Sequence, residues 1–390
     1  SNFKDAIVKT PNEGELKVTG ETTWKASQPK NTETLFKGYS RGAKHAEHKA
    51  ALKRTGDGGF AYPATAAGEK PKLGDLELPT ESLLHASAHC LCMGIAINSA
   101  LKGVELNKVT VKSNAVVNAR GALGQDPKVK PGIDSLQYAI NVDSKSPAAA
   151  VYDMYVAAAQ RSTVIASLSN PITISYNVSA AHDAAAKPYV EADKERNGID
   201  VAYAKKAIEF AKAHPLAHFN VETQWEGGAK AVSTSAGFTQ TTVEKTEPVQ
   251  HLRAKGKELK IHGDHLPFLA GSDSAAAPGE VLMQALNNSI IVELKLLAAV
   301  DNVRLSEVNI KSEAATDLSG MWAVDTTKPI QTKSIAVTAS LKGSATPEVL
   351  KALFDKAAKH SVIANTLATS TPLSFAISHN GKPVAPVQEA

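Results

Sequence analysis

Two cysteines, Cys90 and Cys92, stand one residue apart in the run LLHASAHCLCMG, which also carries His85 and His89. A cysteine at such a place can act as a nucleophile only as its thiolate. To be a thiolate near neutral pH it needs a cation or a helix N-terminus that holds its pKa below the free value near 8.5. The alternative is a small buried apolar residue. On a helix the two cysteines point about 200° apart and do not readily bridge each other. His85, His89 and Cys92 fall at i, i+4 and i+7, one helical face. Nitrogen and sulfur donors at that spacing could begin a soft metal site. No fourth ligand is visible, so polar groups satisfied in the interior or beside a ligand cleft are expected there, and no metal. His262, Asp264 and His265 in KIHGDH read as a loop with a turn, with nothing to place them near Cys90. Between Lys37 and Arg54 six basic residues face only Glu47, which is expected to be a solvated insert rather than an anion-binding patch; His45 and His48 belong to it. No G-x-G-x-x-G, phosphate loop or G-x-S-x-G occurs, so no cofactor is expected.

The elements that must hold Cys90 emerge when the chain is slid against itself. At an offset of 199, Pro79–Gly121 and Pro278–Gly320 share 12 identities in 43 positions, and the register places Ser289 opposite Cys90. The same offset pairs Ser162 with Ser361 and Tyr155 with Phe354, while ETTW at Trp24 meets ETQW at Trp225 after a slip to 201. The chain is therefore one unit of about 190 residues written twice. Each copy reads as a strand ending at its Trp, a variable polar stretch, and a long helix from about Thr80 to Lys102 or Gly279 to Asp301. Two strands, a second helix from about Pro147 or Pro347, and a last strand follow. Each long helix opens on a proline, which has no N–H to leave unpaired. It is apolar on nearly every face, as a buried helix must be. The expected organisation is a first domain over 1–180, a helical connector over 181–215 with an apolar stripe at Val201, Ala204 and Ile208, and a second domain over 216–390.

Composition bounds the rest. The 390 residues are 43% hydrophobic, enough for two cores, and 43 Lys plus Arg against 39 Asp plus Glu leave a net charge of +4. So even a balance excludes a nucleic-acid footprint over the whole surface. Two cysteines exclude a disulfide-stapled scaffold. No uninterrupted apolar run of 18 residues occurs, so no membrane span is expected, and the opening SNFKDAIVKT does not read as a signal peptide. Cytoplasm is the default expectation.

A helix that opens P-x-E-x-L-L-x-A and reaches a cysteine eleven residues after the proline resembles the OsmC family, which includes the organic hydroperoxide resistance proteins. The Trp-ending first strand, AVSTSAGF at Ala231–Phe238 and NARGALGQDPKVKPGIDSLQYAINVDS at Asn118–Ser144 carry the resemblance further. It implies an α+β fold, a bent, antiparallel-rich sheet around two long helices. In the family this is an intertwined dimer, which two fused copies would form as an intramolecular pseudo-dimer, free to self-associate further. In peroxide-reducing members the cysteine at the Cys90 position attacks, a second in a C-P-V motif resolves it, and an Arg held by a Glu keeps the thiolate charged. Here the C-P-V positions read Ser162-Thr163-Val164 and Ser361-Val362-Ile363. The hairpin after Trp24 has Lys25 and Lys30 but no Arg, and the Glu falls at Glu81, one position late. The resemblance thus implies Cys90 and Glu81 as catalytic residues of a one-cysteine thiol peroxidase, with a small hydroperoxide as substrate and an external thiol as reductant. The alternative is a non-peroxidatic member that binds a small apolar or anionic molecule between the copies. Ser289 is expected to be silent.

Overall fold

The computed structural model describes residues 15–57, 76–244, 248–253, 258–322 and 324–384. The opening SNFKDAIVKT and the outer ends of both expected domains lie outside the described residues. In the first copy β1 (Glu15–Lys25), β2 (Asn31–Arg41) and β3 (Lys44–Asp57) precede the long helix α1 (Pro79–Lys102). Next come β4 (Lys108–Asn118), the short α2 (Ala119–Ala122), β5 (Ile133–Asp143), α3 (Ala148–Arg161), α4 (Thr163–Ser169) and β6 (Thr173–His182). Between the copies lie two short strands, β7 (Glu195–Arg196) and β8 (Ile199–Asp200), and helix α5 (Val201–Ala213). The second copy opens with β9 (Leu216–Gly227), β10 (Lys230–Ser235), β11 (Gly237–Thr241), β12 (Val249–Leu252) and β13 (Leu259–Gly263). It continues through α6 (Pro278–Val300), β14 (Leu305–Asp317), α7 (Leu318–Met321), β15 (Thr332–Gly343), α8 (Pro347–His360), α9 (Val362–Ala368), β16 (Leu373–His379) and β17 (Lys382–Pro383).

The basic stretch Lys37–Arg54 is not a solvated insert. It forms most of the β2–β3 hairpin, with Phe36 and His48 buried, Lys37, Lys44, Lys49 and Lys53 exposed, and Arg54 turned inward onto the buried carboxylate of Glu77. The period-two pattern is masked in the sequence by charge, because only one face of the hairpin meets the core. The second helix of each copy ends at Arg161 or His360, as the sequence leads one to expect, and a further short helix follows Ser162 or Ser361. Each serine turns its hydroxyl back to cap the next segment, at Ile165 N and Ala364 N.

Strands are exchanged between the copies. One sheet runs β3-β2-β1-β14-β15-β6 and the other β12-β11-β9-β4-β5-β16-β17, with β10 joining β9 to β13. Thus β1 pairs antiparallel with β14, and β9 with β4, while the last strand of each copy adds in parallel to the other's sheet. Helix α6 lies on the first sheet, α1 on the second, and the two helices pack against each other, with Leu83, Leu91, Leu286 and Leu294 fully buried. At about 1.5–3 kcal/mol for each such side chain, neither helix could hold its all-round apolar surface in a single copy. This is an α+β pseudo-dimer in one chain.

Both central helices are long and apolar enough to cross a membrane by length and composition, but most of each such window is buried in the core. Counting uninterrupted apolar residues overlooked them because serines, histidines and asparagines punctuate both. In α1 Pro79 is the first helical residue, Glu81 accepts from Leu78 N at 2.9 Å, and Gly103 ends the helix in the left-handed region at φ 68°.

Candidate functional site

Cys90 sits midway along α1, and Ser162, between α3 and α4, donates a hydrogen bond from its Oγ to Cys90 Sγ at 3.0 Å. Ser162, at the position of the C-P-V cysteine in the resemblance, thus meets Cys90. Ser361 meets Ser289 in the same way at 2.8 Å. Cys90 is 9% exposed and forms part of the wall of a cavity of about 110 Å³ between the copies. One copy contributes Leu16, Ile97 and Leu101, the other Leu266, Leu282 and Trp322. Gly94, one turn after Cys90, also lines it. A Cβ there would stand 3.0 Å from Ala158 Cβ, so the glycine permits the close α1–α3 crossing.

Arg161 and His265 complete the lining. His265 corrects the expectation that KIHGDH had no connection with Cys90. Its first residues form β13, which pairs with β10, and the following turn carries His265 to the cavity. Burial holds His265 neutral, with a pKa of about 4. His85 and His89 are fully buried and also held neutral by burial, His89 down to about 3. His85 Nδ1 meets Ser233 Oγ at 2.6 Å, while His89 packs on Gly263, where a Cβ would approach its Nδ1 to 2.2 Å. Cys92 is wholly buried, and burial pushes its thiol up. Among the described residues no cluster of three His, Cys, Asp or Glu side chains could hold a metal ion.

Glu81 does not stand beside the sulfur. Nine residues of helix separate them, about 13 Å along the axis. Its carboxylate receives two hydrogen bonds from Arg253, Nη1 to Oε1 at 2.6 Å and Nη2 to Oε2 at 2.7 Å, and a further one from Ser235 Oγ. The partner is thus an arginine of the other copy, which follows β12, rather than one from the hairpin after Trp24. Only strand exchange brings residues 81 and 253 together, so no local motif could have announced the pair. In the second copy Glu280 holds the equivalent place in α6. There His48 of β3 donates to Glu280 Oε1 and to Asp273 Oδ1, both at 2.6 Å, and the two carboxylates raise its pKa to about 9 against the opposing effect of burial. His48 is therefore a buried, protonated clamp, and its assignment to a solvated stretch was wrong.

The second cleft is not a copy of the first. Position 94 becomes Glu293 and Val18 becomes Phe219, both larger. Ile97 and Trp322, which line the Cys90 cavity, correspond to Leu296 and Leu123, and these pack with Ile199, Ala204, Ala207 and Ile208 of the stretch between the copies. Asp200 caps α5 through Tyr203 N at 2.8 Å, and Gln125 Nε2 donates to Ile208 O at 2.7 Å. The connector thus covers at the second site the positions that remain open at the first.

Fold and site together define a duplicated α+β protein with one cysteine-walled cavity at the junction of its two copies. A search of the curated proteins finds no match. The OsmC-like protein family model matches twice, over residues 78–177 and 271–376, together more than half of the chain. The chain belongs to the OsmC-like family and carries its domain in tandem.

Proposed function

We propose that this protein is a one-cysteine, thiol-dependent hydroperoxide reductase with its working site at Cys90. The observation that carries the reading is the position of Cys90 Sγ, in the wall of an apolar interdomain cavity and hydrogen-bonded by Ser162. The Cys90 sulfur attacks one peroxide oxygen, the O–O bond breaks, and the other oxygen leaves with a proton as the alcohol. Cys90 becomes a sulfenic acid. Ser162 has no thiol and Cys92 lies on another face of the helix, so two external thiols return Cys90 to its reduced form, with release of water and one disulfide. A reducing compartment such as the cytoplasm would supply them.

A second reading rests on Arg253. Its guanidinium is committed to Glu81, far along the helix from the sulfur, which favours a cavity that binds a small apolar or anionic molecule and uses Cys90 only as wall. Labelling separates the two. After a pulse of cumene hydroperoxide, a dimedone-type probe should mark Cys90, and Cys92→Ser should behave as the parent does. An unlabelled Cys90, with peroxide consumed no faster than by free cysteine, would leave the binding reading standing.

A further inference from the structure

Among the described residues, Arg161 is the one Lys, Arg, Asp or Glu that lines the Cys90 cavity. It is half-buried at the last turn of α3, immediately before Ser162, and no ion pair or hydrogen bond engages its guanidinium among the described residues. Its nitrogens are not sealed from solvent, so water hydrates the guanidinium when the cavity is empty and an anion that enters can pair with it. The helix C-terminus explains why a positive side chain is tolerated at this place, but not why the cavity offers it no carboxylate. The other copy supplies a contrast, since its equivalent residue is His360, which packs on Gly124. The isolated guanidinium accompanies the open cleft and is absent from the covered one.

We propose that Arg161 is the specificity-determining residue of the Cys90 cavity and that the ligand is an amphipathic anion. Its aliphatic end fills the cavity and its carboxylate, or a group of like charge, rests on Arg161. A cavity of about 110 Å³ is somewhat smaller than the roughly 150 Å³ that accommodates benzene, so it takes a short aliphatic segment. The rest of a longer chain can follow Leu101, which lines the cavity and is 69% exposed. The inference rests on the cavity being the functional cleft, and not on whether Cys90 reduces peroxides.

The test is titration calorimetry of the full chain with octanoate and with octanamide, a neutral analogue of similar size, at one ionic strength. The parent protein should bind octanoate about two- to fivefold more tightly, the range for a partly exposed charge pair. Arg161→Gln should abolish that preference by weakening octanoate alone, and Arg161→Lys should keep part of it. Octanoate should also slow alkylation of Cys90 by iodoacetamide, which ties binding to this cavity. Equal binding of the two ligands by the parent, binding of neither, or an undiminished preference in Arg161→Gln would each overturn the proposal. If the glutamine variant does not fold, the comparison of the two ligands on the parent still decides. Dimedone labelling after hydrogen peroxide, which is too small to need the guanidinium, reads the chemistry of Cys90 separately.

Discussion

Replacing Ser162 with cysteine should convert a one-cysteine site into a disulfide-forming one. Ser162 Oγ already lies 3.0 Å from Cys90 Sγ, across 72 residues of chain. A sulfur at position 162 has a longer bond to its Cβ than the oxygen it replaces, so little backbone movement is needed to close the remaining gap. Closing a loop of 72 residues removes about 15 cal/mol/K from the unfolded chain, or about 4 kcal/mol at 25 °C. Some of that is lost to strain where α3 meets α4, so a gain of about 2–4 kcal/mol in the oxidised form over the reduced form is expected. Treating Ser162→Cys with one equivalent of hydroperoxide should give Cys90 sulfenic acid, which the new thiol attacks with loss of water. Non-reducing peptide mapping should then show a crosslink between positions 90 and 162, with Cys92 the sole remaining free thiol. Dimedone labelling should fall as the crosslink appears, and denaturant midpoints with and without dithiothreitol should give the stability difference. Two unlinked thiols at positions 90 and 162 after oxidation would refute the juxtaposition itself. A crosslink formed by diamide but not by hydroperoxide would leave the geometry intact and count against the proposed chemistry.

Ser289→Ala should leave peroxide reduction and ligand binding unchanged within error, since the second cleft is covered, whereas Cys90→Ser should abolish reduction; comparable losses would show that both clefts work. His48→Gln should cost about 3 kcal/mol in urea unfolding, because it leaves Asp273 and Glu280 buried without their cation. The folded pKa of His48 is raised to about 9 from an ordinary value near 6.5. Its contribution is therefore complete below pH 6.5 and is lost as pH rises towards 9, so parent and variant should converge in stability across that interval. A gap that widened with pH would contradict the assignment of the proton.

Much of this architecture was legible in the sequence, because duplication leaves a periodic trace. The all-round apolar character of Pro79–Lys102 and Pro278–Val300 required a second layer, and the register made Ser289 the counterpart of Cys90 and Ser361 that of Ser162, while the resemblance put the two serines at the resolving position. What could not be read depends on strand exchange. Arg253 reaches Glu81 across 172 residues and His48 reaches Glu280 across 232. Neither pair has a local signature, since each exists only once β1–β3 and β9–β13 have crossed to the other copy's sheet. The β2–β3 hairpin was hidden for a related reason. Its lysines Lys37, Lys44, Lys49 and Lys53 are exposed, and their charge dominates composition more readily than Phe36 and His48 disclose an inner face.

The duplication also accounts for the asymmetry of the clefts. A dimer of identical chains must carry the same residue at both sites, so any side chain that fills one cavity fills the other. Fusion removes that constraint, and α5 needs to cross only one of the two sites to join the copies. There the cavity positions have been taken over by packing: Leu296 and Leu123 lie against Ala204, Ala207 and Ile208, and Phe219 replaces Val18. Glu293, in place of Gly94, is buried, and burial raises its pKa to about 8. A carboxyl so placed favours its neutral form, and no hydrogen bond or ion pair engages it among the described residues. It contributes bulk at the position where the first copy keeps a glycine, at the cost of burying a polar group. The first copy carries what the second lacks: a glycine that leaves room, a cysteine in the wall and an arginine that no described residue pairs. If Cys90 reacts as proposed, chemistry belongs to the first cleft alone and the second contributes packing.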